Sequence, residues 1–181
     1  MLPSERMIDD LELRAVPSSD PTVLALATAQ QAELAALYGE DQPQVGLHPE
    51  IALTLLLVAG TPVGCVGLQP VEPGLGEIKR MYVEPASRGW GLSRILLRAV
   101  EDQARAAGLT RLRLETGTRQ REAVALYTNH GYLPTPPYPP FENEPESLCY
   151  AKDLGEVEDE RVAVAVEAEA VEVRRGVAHP G

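Results

Sequence analysis

A chain of 181 residues with a formal net charge of −11 is poorly suited to nucleic acid, where affinity comes from neutralising phosphates with Lys and Arg. Its apolar share of 44% is that of an ordinary globular protein. The longest apolar run, Ile51–Gly60, is too short to span a bilayer, and Met1–Asp10 is polar and acidic, unlike a signal peptide.

Leu11–Val16 reads as a first strand. Ser18-Ser19-Asp20-Pro21 then supplies an N-cap and a first-turn proline for a helix that runs to Tyr38, where Gly39 can end it. Glu40–Pro49 is polar and reads as a loop. Ile51–Ala59 and Val63–Gln69 are strand-like runs separated by Gly60-Thr61-Pro62, a hairpin signal. Glu77–Val83 is the next strand, and strict alternation places Glu77, Lys79, Met81 and Val83 on one face. Gly91–Ala107 is a helix with Leu92, Ile95, Leu96, Ala99, Val100 and Ala104 at helical spacing, closed by Gly108. Leu109–Glu115 is a strand, Arg121–His130 a short helix, and Tyr132 opens a strand that leads into a Pro-rich loop. Ser147–Leu154 is the last strand.

The order β-α-β-β-β-α-β-α-β-β implies a mixed α/β sheet. Strand–helix–strand units give a parallel pair and hairpins give antiparallel ones. One domain over residues 1–154 is expected. Beyond Leu154 the composition turns acidic and then to a low-complexity Val/Ala/Glu tract, so residues 155–181 read as a disordered tail. Cys65 and Cys149 lie inside apolar runs and read as buried thiols of a cytoplasmic protein. His48, His130 and His179 are far apart and lack metal-ligand spacing, so no metal is expected. His130, beside Gly131 at a helix end, reads as a C-terminal cap.

The chemistry centres on a strand, a short loop, and Arg88-Gly89-Trp90-Gly91-Leu92-Ser93 opening a helix. The first turn of a helix has N–H groups without intrahelical partners, which makes it an anion cradle. Gly89 and Gly91 allow unusual dihedrals and close approach. Arg88 and Arg94 can add charge-assisted bonds to phosphate. The Walker lysine is missing, and so is the third glycine of the dinucleotide fingerprint.

In this element order the segment resembles the Gln/Arg-x-x-Gly-x-Gly/Ala motif of the GNAT acetyltransferases, with Ser93 as its one departure. The resemblance covers roughly Leu11 to Leu154. It implies a mainly antiparallel sheet of six to seven strands, with a central parallel pair splayed at the CoA site and helices on both faces. It implies acetyl-CoA as acyl donor and an amine as acceptor, and a homodimer is compatible with it. By similarity, Met81, Tyr82 and Val83 hold the pantetheine arm through their backbone, and the Val83 N–H polarises the thioester carbonyl.

Ala123-Val124-Ala125-Leu126-Tyr127-Thr128-Asn129-His130-Gly131-Tyr132 resembles the family's Ala-Leu-Tyr-x-x-x-Gly-Phe/Tyr signature. It implies Tyr127 as proton donor to the departing thiolate, a role that suits a phenol. Two carboxylates compete as general base. Glu77 lies where several members carry one, and Glu115 precedes Tyr127 by the separation found in the ribosomal-protein α-amine acetyltransferases. Gln120 stands where many members have a cofactor-contacting Asn, a second departure. His48 and the loop residues Tyr138, Phe141 and Asn143 lie where members shape the acceptor pocket. The implied activity is direct acetyl transfer to a small-molecule amine. A protein N-terminal or lysine acetyltransferase is the alternative within the class, and a non-catalytic acyl-CoA-binding module the alternative outside it.

Overall fold

A computed structural model describes residues 10–39 and 47–155. Most of the expected loop before Pro49 and nearly all of the expected tail lie outside these residues. A seven-stranded sheet is built from β1 (Leu11–Val16), β2 (Ala52–Val58), β3 (Thr61–Glu72), β4 (Leu75–Val83), β5 (Arg111–Gly117), β6 (Leu133–Pro134) and β7 (Ser147–Asp153). Their spatial order is β1-β2-β3-β4-β5-β7-β6. Only β4 and β5 are parallel; every other pairing is antiparallel. The helices are α1 (Pro21–Tyr38), α2 (Leu92–Ala106) and α3 (Arg121–Asn129). The expected mixed architecture with one central parallel pair is thus the observed one.

Local chemistry explains the helix ends. Asp20 Oδ1 accepts from Thr22 N–H at 2.8 Å and from Val23 N–H at 3.2 Å, so two of the orphan donors of α1 are satisfied. Gly39, with φ +73°, closes α1 by donating to the Ala35 carbonyl at 2.8 Å, as a left-handed residue at that position can. His130 caps α3, its Nδ1 lying 2.7 Å from the Leu126 carbonyl oxygen.

The helices divide between the two faces of the sheet. α1 buries Val23, Leu26 and Ala27, and the first two join Leu53, Leu55, Cys65 and Tyr82 in one apolar cluster. On the other face Leu92, Leu96, Leu97 and Val100 of α2 and Tyr127 of α3 pack with Leu68, Ile78, Leu112 and Leu114. Both cysteines are buried and free, and burial pushes the Cys65 thiol up to about 12, so it stays protonated.

Within the α2 side, Glu101 is a buried carboxylate. It accepts from the Tyr132 hydroxyl at 3.1 Å and from Lys152 Nζ at 2.8 Å, tying α2 to β7 and to the residue before β6. Glu101→Ala leaves the hydroxyl and the ammonium without their acceptor. The expected cost is about 3 kcal/mol of unfolding free energy, measured by urea denaturation; a loss below about 0.5 kcal/mol would show that the network is not structural.

Candidate active site

The sheet opens at its centre. β4 and β5 pair only over Leu75–Glu77 and Arg111–Arg113. Beyond that, β4 stays with β3 and β5 stays with β7 to its end at Gly117, so the two strands part and leave a notch. A β-bulge marks the parting. Tyr82 pairs with Cys65 and Lys79 with Gly67, which leaves Arg80 and Met81 opposite the single residue Val66. Arg80 takes the left-handed conformation there, with φ +55°. A bulge bends and twists its strand, which turns β4 away from β5.

The bulge also corrects the expected alternation. Ile78, Met81 and Val83 pack with the α2-side core, whereas Tyr82 joins the α1-side cluster. Glu77 and Lys79 alternate with Ile78 and therefore face α1. Glu77 and Val83 thus point to opposite faces, because the extra residue reverses the pleat.

The register decides which backbone groups of β4 face the notch. Glu84 N–H donates to the Val63 carbonyl at 2.9 Å, so Glu84 and, by alternation, Tyr82 bond to β3. Val83 then turns its N–H and C=O away from β3, toward the notch. Its carbonyl accepts from Arg88 Nε at 2.9 Å, and its N–H stays available. The Met81 carbonyl is occupied, accepting from Gln30 Nε2 of α1 at 2.8 Å.

At the mouth of the notch a short 3₁₀ turn, Pro85–Ser87, leads into Arg88-Gly89-Trp90-Gly91 and α2. Gly89 and Gly91 have φ of +85° and +78°, values open to glycine at little cost. Gly91 is the N-cap of α2 and makes no side-chain cap bond. A Ser or Asp there contributes about 1 kcal/mol to a helix; this helix start does without it. The N–H groups of Gly89, Trp90, Gly91, Leu92 and Ser93 find no acceptor among the described residues. The Arg94 guanidinium lies over Gly91, 3.0 Å from where a Cβ would stand. Five free donors, the positive end of α2 and one guanidinium fit a pyrophosphate.

Arg88 behaves differently from the expectation. Its guanidinium forms a two-pronged pair with Glu33 of α1, at 2.9 and 2.7 Å, so it anchors the loop to α1 while Arg94 attends the cradle. α1 also reaches the other lip. Tyr38 Oη accepts from Arg119 N–H at 3.1 Å, and its ring end sits where any side chain on Gly117 would go.

On the α1 face, charged side chains meet across the lower notch. Glu77 is 5% exposed. Its Oε2 accepts from Arg113 Nε and Nη2, both at 3.0 Å, and its Oε1 pairs with Lys79 Nζ at 2.9 Å. Glu115, two residues along β5 from Arg113, accepts from Ser147 Oγ at 2.6 Å. Burial holds its carboxyl above the ordinary carboxylate range, with the Ser147 bond partly opposing. Tyr138 packs its ring on the Arg113 guanidinium, 3.8 Å from the ring centroid, with Phe141 edge-on to it at 5.5 Å. The buried Tyr138 hydroxyl has no hydrogen-bond partner among the described residues. A cavity of about 340 Å³ adjoins this cluster, lined by Leu47, His48, Ile51, Gln69, Lys79 and Arg80.

The residues named from the sequence therefore divide. Val83 and Gly89–Arg94 meet at the notch; Tyr127 lies in the α2-side core, its ring 5.6 Å from that of Tyr132. Burial raises the Tyr127 phenol well above its ordinary value, so it carries its proton. Gln120 starts α3, and its side-chain oxygen accepts from Thr116 Oγ1 and from Gly117 N–H, leaving only its NH₂ for other partners. Asn143 is exposed in its loop, apart from the cluster. Sequence reasoning missed Lys79 as a partner of Glu77, as well as Arg80, Arg113, Ser147 and Tyr38. Among the described residues no three His, Cys, Asp or Glu side chains are grouped to hold a metal ion, and no helix is long and apolar enough to cross a membrane.

Residues 19–132 match the family described as Acetyltransferase (GNAT). The chain is 43% identical to the IAA acetyltransferase of Azospirillum brasilense over 107 residues, 59% of this chain and 70% of that protein. A Klebsiella pneumoniae structure, provisionally named an acyl-CoA N-acyltransferase, superposes with a TM-score of 0.71 at 33% identity, covering 80% of this chain and 98% of its own. A GNAT family acetyltransferase from Elizabethkingia anophelis with acetyl-CoA bound has a TM-score of 0.60 at 19% identity, covering 80% of this chain and 99% of its own; at that identity only the fold is shared.

Proposed function

We propose that this chain, which belongs to the acetyltransferase (GNAT) family, moves an acetyl group from acetyl-CoA directly to the primary amine of a small molecule. The observation that carries this reading is the notch between β4 and β5, with the free N–H of Val83 at its lip and five more free N–H groups at its mouth.

The residues divide the work as follows. The Gly89–Ser93 donors and Arg94 hold the pyrophosphate. Val83 N–H faces the thioester carbonyl and stabilises the oxyanion that develops there. Glu115 takes a proton from the acceptor ammonium, directly or through a water. Both oxygens of Glu77 already accept from cations, so a proton placed there would break ion pairs; its role is to position Arg113 and Lys79. The freed amine attacks the carbonyl carbon, a C–N bond forms and the C–S bond breaks; the thiolate leaves with a proton from Tyr127, and the second proton lost by the nitrogen, passed on through water, restores the phenol. No covalent relay through a cysteine is invoked, since burial raises both thiols and keeps them protonated. Holding donor and acceptor together in the notch supplies much of the acceleration.

Trp90 is the chain's sole tryptophan. It stands 50% exposed at the mouth of the cradle. Acetyl-CoA should therefore shift its emission in a saturable titration, and Gly91→Val should weaken that binding at least tenfold, because a β-branched residue resists φ +78°. The reaction itself is tested by CoA release with a panel of primary amines. Binding without CoA release from any amine would leave an acyl-CoA-binding module in place of an enzyme.

A further inference from the structure

Arg80 differs from the other half-buried arginines. Half-buried arginines stand at positions 80, 105 and 113. Arg105 pairs with Asp102 and Glu101, and Arg113 pairs with Glu77. Arg80 has no carboxylate within ion-pair distance and no side-chain hydrogen bond among the described residues, yet it lines the 340 Å³ cavity. Its backbone is held in the left-handed region at the bulge, a conformation that is costly for a non-glycine residue. In a chain of net charge −11, a half-buried guanidinium that lines a cavity and meets no acid among the described residues can serve as an anion-binding group. Lys79 and Gln69 line the same cavity and His48 stands at its rim. Beyond Lys79, which reaches Glu77, Glu115 follows Arg113 on the same face of β5 and has no cation bonded to it among the described residues. One end thus suits an anion and the other an ammonium.

We infer that the acceptor is an amine that also carries a carboxylate, an amino acid in the broad sense, with its carboxylate on Arg80 and its ammonium toward Glu115. The inference rests on the acetyl-transfer reading for the reaction, but it makes a claim about binding that can be measured without turnover. Arg suits this task because its planar fork matches a carboxylate with two parallel bonds. Arg80, as a binding residue distant from the bonds that change, should affect acceptor KM far more than kcat.

The test uses the full chain saturated with CoA. Free L-α-amino acids and ω-amino acids are titrated in parallel with the matching carboxamides, binding being followed by calorimetry, and the same compounds are then assayed for CoA release from acetyl-CoA. At least one acid should bind at least tenfold more tightly than its amide, as expected for a charge-assisted pair. Arg80→Gln should erase that preference while leaving the acetyl-CoA titration of Trp90 unchanged. Arg80→Lys should restore part of it. In the assay, Arg80→Gln should raise the KM of the preferred acid at least tenfold with kcat changed less than threefold. Equal binding of acids and amides, no binding of any acid, or an undiminished preference in Arg80→Gln would each overturn the inference. Acid-selective binding that depends on Arg80 but yields no CoA would uphold it and overturn the transferase reading instead.

Discussion

Glu115→Gln is expected to lower kcat by about two to three orders of magnitude, the usual contribution of a positioned general base. Its geometry supports this size. Among the described residues Glu115 has one side-chain hydrogen bond, from Ser147 Oγ, so lone pairs remain for an ammonium or a bridging water. Burial raises its carboxyl above the ordinary value, which brings a base closer to the proton it must accept. The sign of the pH dependence follows. A raised value means that the proton stays on over a wider acid range, so kcat/KM should fall as pH drops through a point above 4.5. In Glu115→Gln that limb should be absent from the residual rate.

Linkage predicts the opposite sign for stability. The native state binds this proton more tightly than the unfolded chain does. Its stabilising effect is fully present below the unfolded value and is lost as pH rises through the folded one. At pH 7 the always-neutral glutamine should therefore be at least as stable as the native residue. Lower activity with unchanged or higher melting temperature is the signature. Glu77→Gln should behave in the reverse way. It uncouples the Arg113 and Lys79 pairs of a 5% exposed carboxylate, at a cost of about 3 kcal/mol in stability, with a smaller loss in kcat. If Glu77→Gln abolished turnover without loss of stability while Glu115→Gln kept its rate and its acid limb, the base would be Glu77.

Tyr127→Phe is the second large effect expected, about a hundredfold in kcat. The KM for acetyl-CoA should change less than threefold. The ring is buried in the α2-side core and stays there in phenylalanine, so the edge-to-face contact with Tyr132 at 5.6 Å survives. The phenol's raised value ensures that a proton is present at any working pH, and it leaves only as the thiolate's demand for it rises. A thiolate departing within a site closed off from bulk water needs that proton more than one departing into water. An unchanged kcat would reassign Tyr127 to packing alone. A uniform loss that follows melting temperature would do the same.

Much of the fold was legible because its determinants are short-range. Asp20-Pro21 and Gly39 bracket α1 as caps do, wherever the helix lies. Leu92, Leu96 and Val100 recur at helical spacing and are buried together. Tyr127 and the run from Gly89 to Arg94 could be named from motifs for the same reason: a helix start and a helix face are set by contiguous residues.

The acceptor side of the site was less legible. Glu77 and Arg113 are 36 positions apart, and Arg88 and Glu33 are 55 apart. Neither pair leaves a trace in local pattern, because charge pairing depends on which strands and helices become neighbours. Glu77 was expected to share a face with Val83, and alternation gave no sign otherwise. The bulge at Arg80 arises from the pairing of β4 with Cys65 and Gly67 of β3, and one extra residue is enough to reverse every side chain beyond it.

By itself, then, the sequence determined the elements, the candidate anion cradle and the candidate proton donor, since each rests on neighbours within a turn or two. Tertiary structure alone decided that β4 leaves β5 after Glu77, that Arg88 serves α1, and that Glu115 keeps free lone pairs while Glu77 does not. It also left Arg80 lining a cavity with no acid paired to it among the described residues. These are consequences of strand register and of contacts between distant segments, which form only when the whole sheet closes.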